Sequence, residues 1–273
     1  MNTRPNPQAP LVAPCRKLNL SAPWHWFLLG LADARRAPVI SALYGVALSL
    51  MLGTLAWMAT SASGAWWLVS TITALVFLTP LICVGTYAVS AQLERGQTVS
   101  LTRSLRASFR RYLGNEMVYA LALLIILLIW ARADSMMSVF LPTQVSDTVP
   151  PVSVYLIVSV TIGLLFLSLI FAASVFALPM IMHRDVDSIT AILTSINAVL
   201  RNKRVMLVWA SLIGIGLSLG VASFGILWIL FLPTIGYASW HGYLDTIDAD
   251  DYARHGEGIT ATARVLAQEE TAE

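Results

Sequence analysis

Histidine and aspartate side chains that could bind a metal or move protons occur at two places in the chain. The segment "HRDVD" holds His183, Asp185 and Asp187 within five residues, directly after a long apolar run. His241 lies near the end of the next apolar run. Imidazole and carboxylate ligands suit zinc, iron or manganese. If the helices bring the two places together, these four residues would form a metal site.

Each residue of "HRDVD" also has a purely structural explanation. Asp187 stands directly before a segment with helical spacing, where an N-cap carboxylate accepts hydrogen bonds from free backbone N–H groups. Asp185 is close enough to share that role or to pair with Arg184, and His183 lies where an apolar run meets water. No H-x-x-x-H or C-x-x-C motif supports a metal. We therefore predict a cap and a boundary, with no catalytic residue, no metal and no cofactor.

The composition is that of a membrane protein. Of the 273 residues, 57% are hydrophobic and 12% are charged, whereas about 25% are charged in a typical soluble domain. A helix needs about 20 apolar residues to cross a bilayer core of about 30 Å, and the last apolar run, 205–243, is long enough for two helices with a break near 219–225. The prediction is an all-α, polytopic membrane helix bundle with about six spans: 38–60, 65–91, 116–133, 152–182 and the two halves of 205–243.

The basic residues predict the orientation of this bundle. Of the 17 Lys and Arg, all except Arg132 map to one side of the six spans. Basic residues stay on the cytoplasmic side because carrying them across the membrane is costly. Both termini are therefore expected in the cytoplasm. We divide the chain into a disordered arm (1–20), a membrane domain (21–245) and a polar tail (246–273).

Three segments before spans are amphipathic and too short or too polar to cross. They begin at Trp24, Ser100 and Ser188, and each is expected to lie on the cytoplasmic face as an interfacial helix. The third has apolar residues at helical spacing, which should be hidden against lipid or the bundle: Ile189, Ile192, Leu193, Ile196, Val199 and Leu200. The unit of one amphipathic helix and two spans occurs three times, which indicates either an internal threefold repeat or the common pattern of membrane-edge helices.

Several phrases of the sequence resemble a known family. They are "WFLLGLADARRAP", "SALYGVAL", "HRDVDSITAILTSINAVLRN" and "LPTIGYASWHGYLD", between Trp24 and Asp245. Together they are similar to the proteobacterial integral-membrane proteins grouped as a domain of unknown function, family 2189. The resemblance implies a bacterial inner-membrane location and implies no reaction.

Two functions agree with these patterns. The first is a non-enzymatic module that organises or assists another membrane protein complex, because the sequence shows no catalytic arrangement and has a basic, amphipathic inner face. The second is a small transporter or channel, because prolines recur at matching positions, namely Pro80, Pro179 and Pro233. The expected partners are the lipid bilayer and a membrane protein complex, and no nucleic acid is expected.

Overall fold

A computed structural model describes residues 10–61, 84–105, 115–140 and 151–252. These residues form helices and connecting turns, and the β pairing among them is a single bridge between Cys15 and Ile247. The predicted all-α class is confirmed. In chain order the helices are α1 Ala22–Arg36, α2 Pro38–Ser61, α3 84–94, α4 101–105 (as far as it is described), α5 Asn115–Phe140, α6 Pro151–Ser174, α7 Ala177–His183, α8 Ser188–Arg201, α9 Lys203–Ala222 and α10 Trp228–Thr246.

Most predicted spans coincide with helices. The first, third and fourth spans correspond to α2, to α5, and to α6 with α7. The last run is broken at 223–227, close to the predicted break, where Phe224 and Gly225 have positive φ values of 54° and 86°. Of the second span, 65–91, only 84–91 falls within the described residues, where it is helical.

Two helices are long and apolar enough to cross a membrane among the described residues. They are Val160–His183 and Lys203–Ala222, with mean hydropathies of 2.5 and 2.1. A third crossing is possible if α1 and the first part of α2, Pro38–Thr54, form one bent span. The bend between these two helices is 111°. Pro38 explains the position of this bend, because the residue before a proline is disfavoured in the helical region. That residue, Ala37, has φ −129° and ψ 59°, outside the helical region.

Close helix packing and aromatic rings form the centre of the bundle. Trp26 of α1 meets Trp209 of α9 and Phe176 edge to face, with ring centroids 5.7 and 6.3 Å apart. Gly30 lets α1 approach α10, because a β-carbon there would lie 2.7 Å from the backbone nitrogen of Ala238. In contrast, the outward faces of α5, α6 and α9 carry exposed leucine, isoleucine and valine side chains. An apolar exterior of this kind suits a protein whose surroundings are lipid.

The helix α8 confirms the predicted helix, and the bundle covers its apolar stripe only in part. It is helical as predicted, but the residues that it buries against the bundle are small: Ser188, Thr190, Ala191, Thr194, Ser195 and Ala198. Ile189, Leu193 and Leu200 of the apolar stripe are 61%, 37% and 57% exposed. The bundle therefore does not cover these three residues. Small side chains allow α8 to approach its neighbours closely, which explains why they face inward.

The N-terminal segment over residues 10–20 is not disordered, and that part of the prediction is wrong. The backbone N–H groups of Ala13 and Leu18 donate to Thr194 Oγ1 and Asn202 Oδ1, both at 3.0 Å. The N–H of Arg16 donates to the carbonyl oxygen of Thr246 at 2.8 Å. Acceptors on α8, on α10 and at the junction of α8 with α9 therefore hold this segment against the bundle. Residues 1–9 and 253–273, predicted as arm and tail, lie outside the described residues.

Candidate functional site

Asp187 caps α8, as the sequence predicts. Its Oδ2 accepts hydrogen bonds from the backbone N–H groups of Ile189 and Thr190, both at 3.1 Å. Burial on its own would raise the pKa of Asp187, but hydrogen bonds from the Thr190 side chain and from the backbone lower it below its usual value. The carboxylate form is therefore the one that stabilises the start of α8.

Replacing Asp187 by Ala should destabilise the fold by about 0.5–2 kcal/mol, whereas Asn should keep most of the stability, since its side-chain oxygen accepts the same bonds. Because the folded-state pKa is lowered, the charge-dependent part of the stabilisation is complete above the unfolded pKa of about 3.9 and is lost as the pH falls through the folded value. Thermal unfolding in detergent between pH ~7 and pH ~3 measures both effects. Asp187→Asn is the control and should lack this acid-dependent loss. An Asp187→Ala variant as stable as the wild type would contradict the cap.

The residues next to Asp187 form hydrogen bonds with α10 and with the residues that follow it. Arg184 is buried, and its guanidinium donates to Asp250 Oδ1 at 2.7 Å and to the carbonyl oxygen of Tyr252 at 2.9 Å. Asp250 is thus an ion-pair partner of Arg184. His183 Nδ1 lies 3.0 Å from the hydroxyl of Tyr243. The "HRDVD" segment thus joins the end of α7 to the region that follows α10.

His241 belongs to a different cluster, which sequence reasoning did not find. Its Nε2 lies 2.8 Å from Oδ2 of Asp33 in α1, and the hydroxyl of Ser90 in α3 donates to the same oxygen at 2.8 Å. Asp33 is 4% exposed and Ser90 is fully buried. Arg36 adds a weaker contact, with Nη1 3.8 Å from Oδ1 of Asp33. The signal for Asp33 was its position seven residues after Trp26, which places both on the buried face of α1.

The geometry of this cluster is not that of a hydrolytic triad. In such a triad the histidine lies between the nucleophile and the carboxylate, so that it can take the proton of the serine. Here Asp33 lies between Ser90 and His241, and both bind the same oxygen. Ser90 therefore has a carboxylate as its partner and no imidazole base. The arrangement ties α1, α3 and α10 together by buried, charge-assisted hydrogen bonds.

The four residues considered for a metal site are divided between these two places. His183 bonds Tyr243, His241 bonds Asp33, and Asp187 caps α8. Within the described ranges, no group of three or more His, Cys, Asp or Glu side chains is arranged to hold a metal ion.

Two tryptophans complete the polar contacts at this end of the bundle. Trp240 Nε1 donates to Glu94 Oε2 at 3.0 Å, and Trp26 Nε1 donates to Asp245 Oδ2 at 2.9 Å. The helix α10 is therefore bonded to α1 and α3 by residues in two consecutive turns. The hydrogen bonds of this cluster hold α1, α3 and α10 together.

The comparisons with known proteins agree with a membrane protein. Neither the comparison with curated proteins nor the one with solved structures found a match. A family model described as "Predicted integral membrane protein (DUF2189)" matches residues 68–183. The matched segment ends at the first residue of "HRDVD", so most of the phrases that suggested the resemblance lie outside it. The resemblance is nevertheless confirmed, over a shorter range than expected: residues 68–183 are similar to the family of predicted integral membrane proteins DUF2189.

Proposed function

We propose that the chain is a multi-pass inner-membrane protein with six spans and cytoplasmic termini, and that it acts as a non-enzymatic module that organises or assists a partner membrane complex. One observation carries this proposal. The helix α9 presents a face of small residues that no other described helix covers. The occupant of this face would be a transmembrane helix of the partner.

On the opposite face of α9, two glycines allow another helix of the chain to pack closely. A β-carbon on Gly216 would overlap the ring of Phe231, and one on Gly220 would overlap the indole of Trp228. Both aromatic residues lie on α10. Glycine is therefore what allows α10 to pack closely against α9 within the chain.

The outward face of α9 also carries small residues, but no other described helix packs against it. Ser211, Gly214, Ser218 and Ala222 follow each other at spacings of three and four, and all four are exposed. A β-carbon on Gly214 would meet no atom within 4 Å. The hydroxyls of Ser211 and Ser218 donate to the carbonyl oxygens of Leu207 and Gly214 on their own helix. The face is thus shallow and internally bonded, which suits the close approach of a second helix in a membrane.

The orientation of the module follows from charge and from the bend after α1. Basic residues concentrate on one side of the predicted spans, and such residues stay in the cytoplasm. If α2 crosses the membrane, the 111° bend leaves α1 roughly in the membrane plane. Exposed Trp24 and Leu28 of α1 would then contact the interface. These features support interfacial helices on the cytoplasmic side.

A photo-crosslinking residue at Ser218 tests the module. In intact cells we expect one adduct of discrete mass, and we expect Gly214→Leu to abolish it, because a large side chain fills the face. Leu165 of α6, which is 66% exposed, is the matched control position and should give no discrete adduct. Two copies with different tags are expressed together, so that self-association is recognised. An adduct that carries both tags, or one that survives Gly214→Leu, would overturn the proposal.

The buried Asp33–His241 pair favours the transporter as a second candidate. Ionisable side chains inside membrane helix bundles often mark proton or ion paths. This pair, however, bonds to Ser90 and bridges helices that pack directly on each other. The module therefore has the stronger support.

A further inference from the structure

A basic cavity of about 490 Å³ lies where the N-terminal segment meets the end of α8 and the start of α9. Four of its lining residues are cationic and exposed: Lys17, Arg201, Lys203 and Arg204. The remaining lining residues are Leu18, Leu20, Leu200, Asn202 and Val205. The described lining contains no acidic side chain. The cavity therefore concentrates positive charge in one concave place.

These four cations lack acidic partners in the part of the chain that the structure describes. The ion pairs found there involve Arg16, Arg36, Arg184 and His241 instead. Like charges around a small cavity repel each other, and an anion between them removes that repulsion. The cavity is consequently suited to a ligand of negative charge.

The start of α9 adds to the positive potential. Asn202 precedes α9, but its side chain is turned towards the N-terminal segment, where it accepts from the N–H of Leu18 and donates to the carbonyl oxygen of Arg16. The helix thus begins without a side-chain cap. The N–H groups of a first turn without such a cap, with the positive end of the helix dipole, form a binding place for phosphate groups.

The rim of the cavity is apolar and lies at the edge of a membrane-compatible helix. Leu20 and Leu200 are 54% and 57% exposed. The helix α9, Lys203–Ala222, is long and apolar enough to cross a membrane, so Lys203 stands at the boundary between its apolar part and the polar region. A ligand at this place meets cations on one side and leucine side chains on the other.

We propose that this cavity binds the phosphate headgroup of an anionic phospholipid, whose acyl chains lie over Leu20 and Leu200. Basic pockets beside membrane helices on the cytoplasmic side recognise anionic headgroups in this way. The leucine rim favours a lipid over a free phosphate ion, because inorganic phosphate gains nothing from apolar contact. The site is distinct from the α9 face that we assign to a partner helix.

Equilibrium binding to the purified full chain in neutral detergent tests the site. The probes are phosphatidylglycerol, phosphatidylcholine with the same acyl chains, and inorganic phosphate. We expect saturable binding of phosphatidylglycerol and much weaker binding of the other two. Lys203→Gln combined with Arg204→Gln should weaken phosphatidylglycerol binding by about thirty-fold, because each basic residue contributes about 1 kcal/mol at a charged lipid surface.

The control removes the same charge elsewhere. Arg35→Gln combined with Arg103→Gln changes two exposed cations outside the cavity and should leave binding within about two-fold, a difference well below the tenfold that 1.4 kcal/mol represents. Thermal unfolding of each variant without lipid shows that it is folded. Leu200→Asn should weaken lipid binding and leave phosphate binding unchanged. Equal loss in the two double variants, equal binding of phosphatidylcholine, or displacement of the lipid by an equal concentration of inorganic phosphate would overturn the proposal.

Discussion

Gly45→Ala is expected to prevent the assembly of the folded bundle. A β-carbon on Gly45 of α2 would overlap the backbone carbonyl of Ile229 in α10. A clash with backbone cannot be relieved by turning a side chain, so α2 and α10 would have to separate. We expect a loss of at least about 3 kcal/mol, the upper range for overpacking a core. Folded yield in detergent and the midpoint of thermal unfolding are the measurements.

Gly53→Ala, on the same helix, is the matched control for Gly45→Ala. A β-carbon there meets no atom within 4 Å, and alanine favours a helix over glycine by about 1 kcal/mol. This variant should be as stable as the wild type or slightly more stable. If Gly45→Ala folds as well as Gly53→Ala, the close contact between α2 and α10 is wrong.

Asp33→Ala is expected to have the second largest effect. It removes the acceptor shared by Ser90 and His241, and a buried polar group such as the Ser90 hydroxyl left without a partner costs about 1–3 kcal/mol. The expected loss in thermal or denaturant unfolding is therefore at least about 1–3 kcal/mol, because His241 is only partly buried. Asp248→Ala is the control, because Asp248 forms a half-exposed ion pair with Arg16 at 3.6 Å, and such pairs contribute less than about 1 kcal/mol. Equal stability of the two variants would contradict the role of Asp33 in holding α1, α3 and α10 together.

The milder change Asp33→Asn also decides between the two candidate functions. An amide does not exchange protons near neutral pH, whereas a carboxylate in a proton path must do so. Proteoliposomes with an internal pH indicator should show no proton flux for the wild type if the chain is a module. Flux in the wild type that Asp33→Asn abolishes would favour the transporter instead.

Local features of this fold were predictable from the sequence, because their causes lie within a few residues. Asp187 caps the helix that directly follows it, and the glycine-rich break between α9 and α10 lies within a single turn. That Ile189, Leu193 and Leu200 of the α8 stripe face away from the bundle was not predictable. An apolar face can meet either lipid or protein, since both are apolar, so periodicity shows that two faces exist without showing which one is inside.

The Asp33 cluster and the ordered N-terminal segment depend on residues far apart in the sequence. Ser90 and His241 meet Asp33 only because α3 and α10 pack on α1. The N-terminal segment is proline-rich, which is typical of disorder, and it becomes ordered through acceptors on Thr194 and Asn202. The local sequence of the segment does not predict acceptors that lie so far away in the chain.

The pairing of the N-terminal segment with the region after α10 also sets an order of events during synthesis. The N–H of Arg16 reaches the carbonyl of Thr246, and the N–H of Asp248 reaches the carbonyl of Pro14. Residues near the beginning of the chain must therefore wait for residues translated long afterwards, and contacts of such sequence separation form slowly. Until α10 has left the ribosome, the N-terminal segment can bond to Thr194 and Asn202 but still lacks its partners Thr246 and Asp248. The two backbone hydrogen bonds that join Arg16 to Thr246 and Asp248 to Pro14 are consequently among the last contacts of the bundle to form.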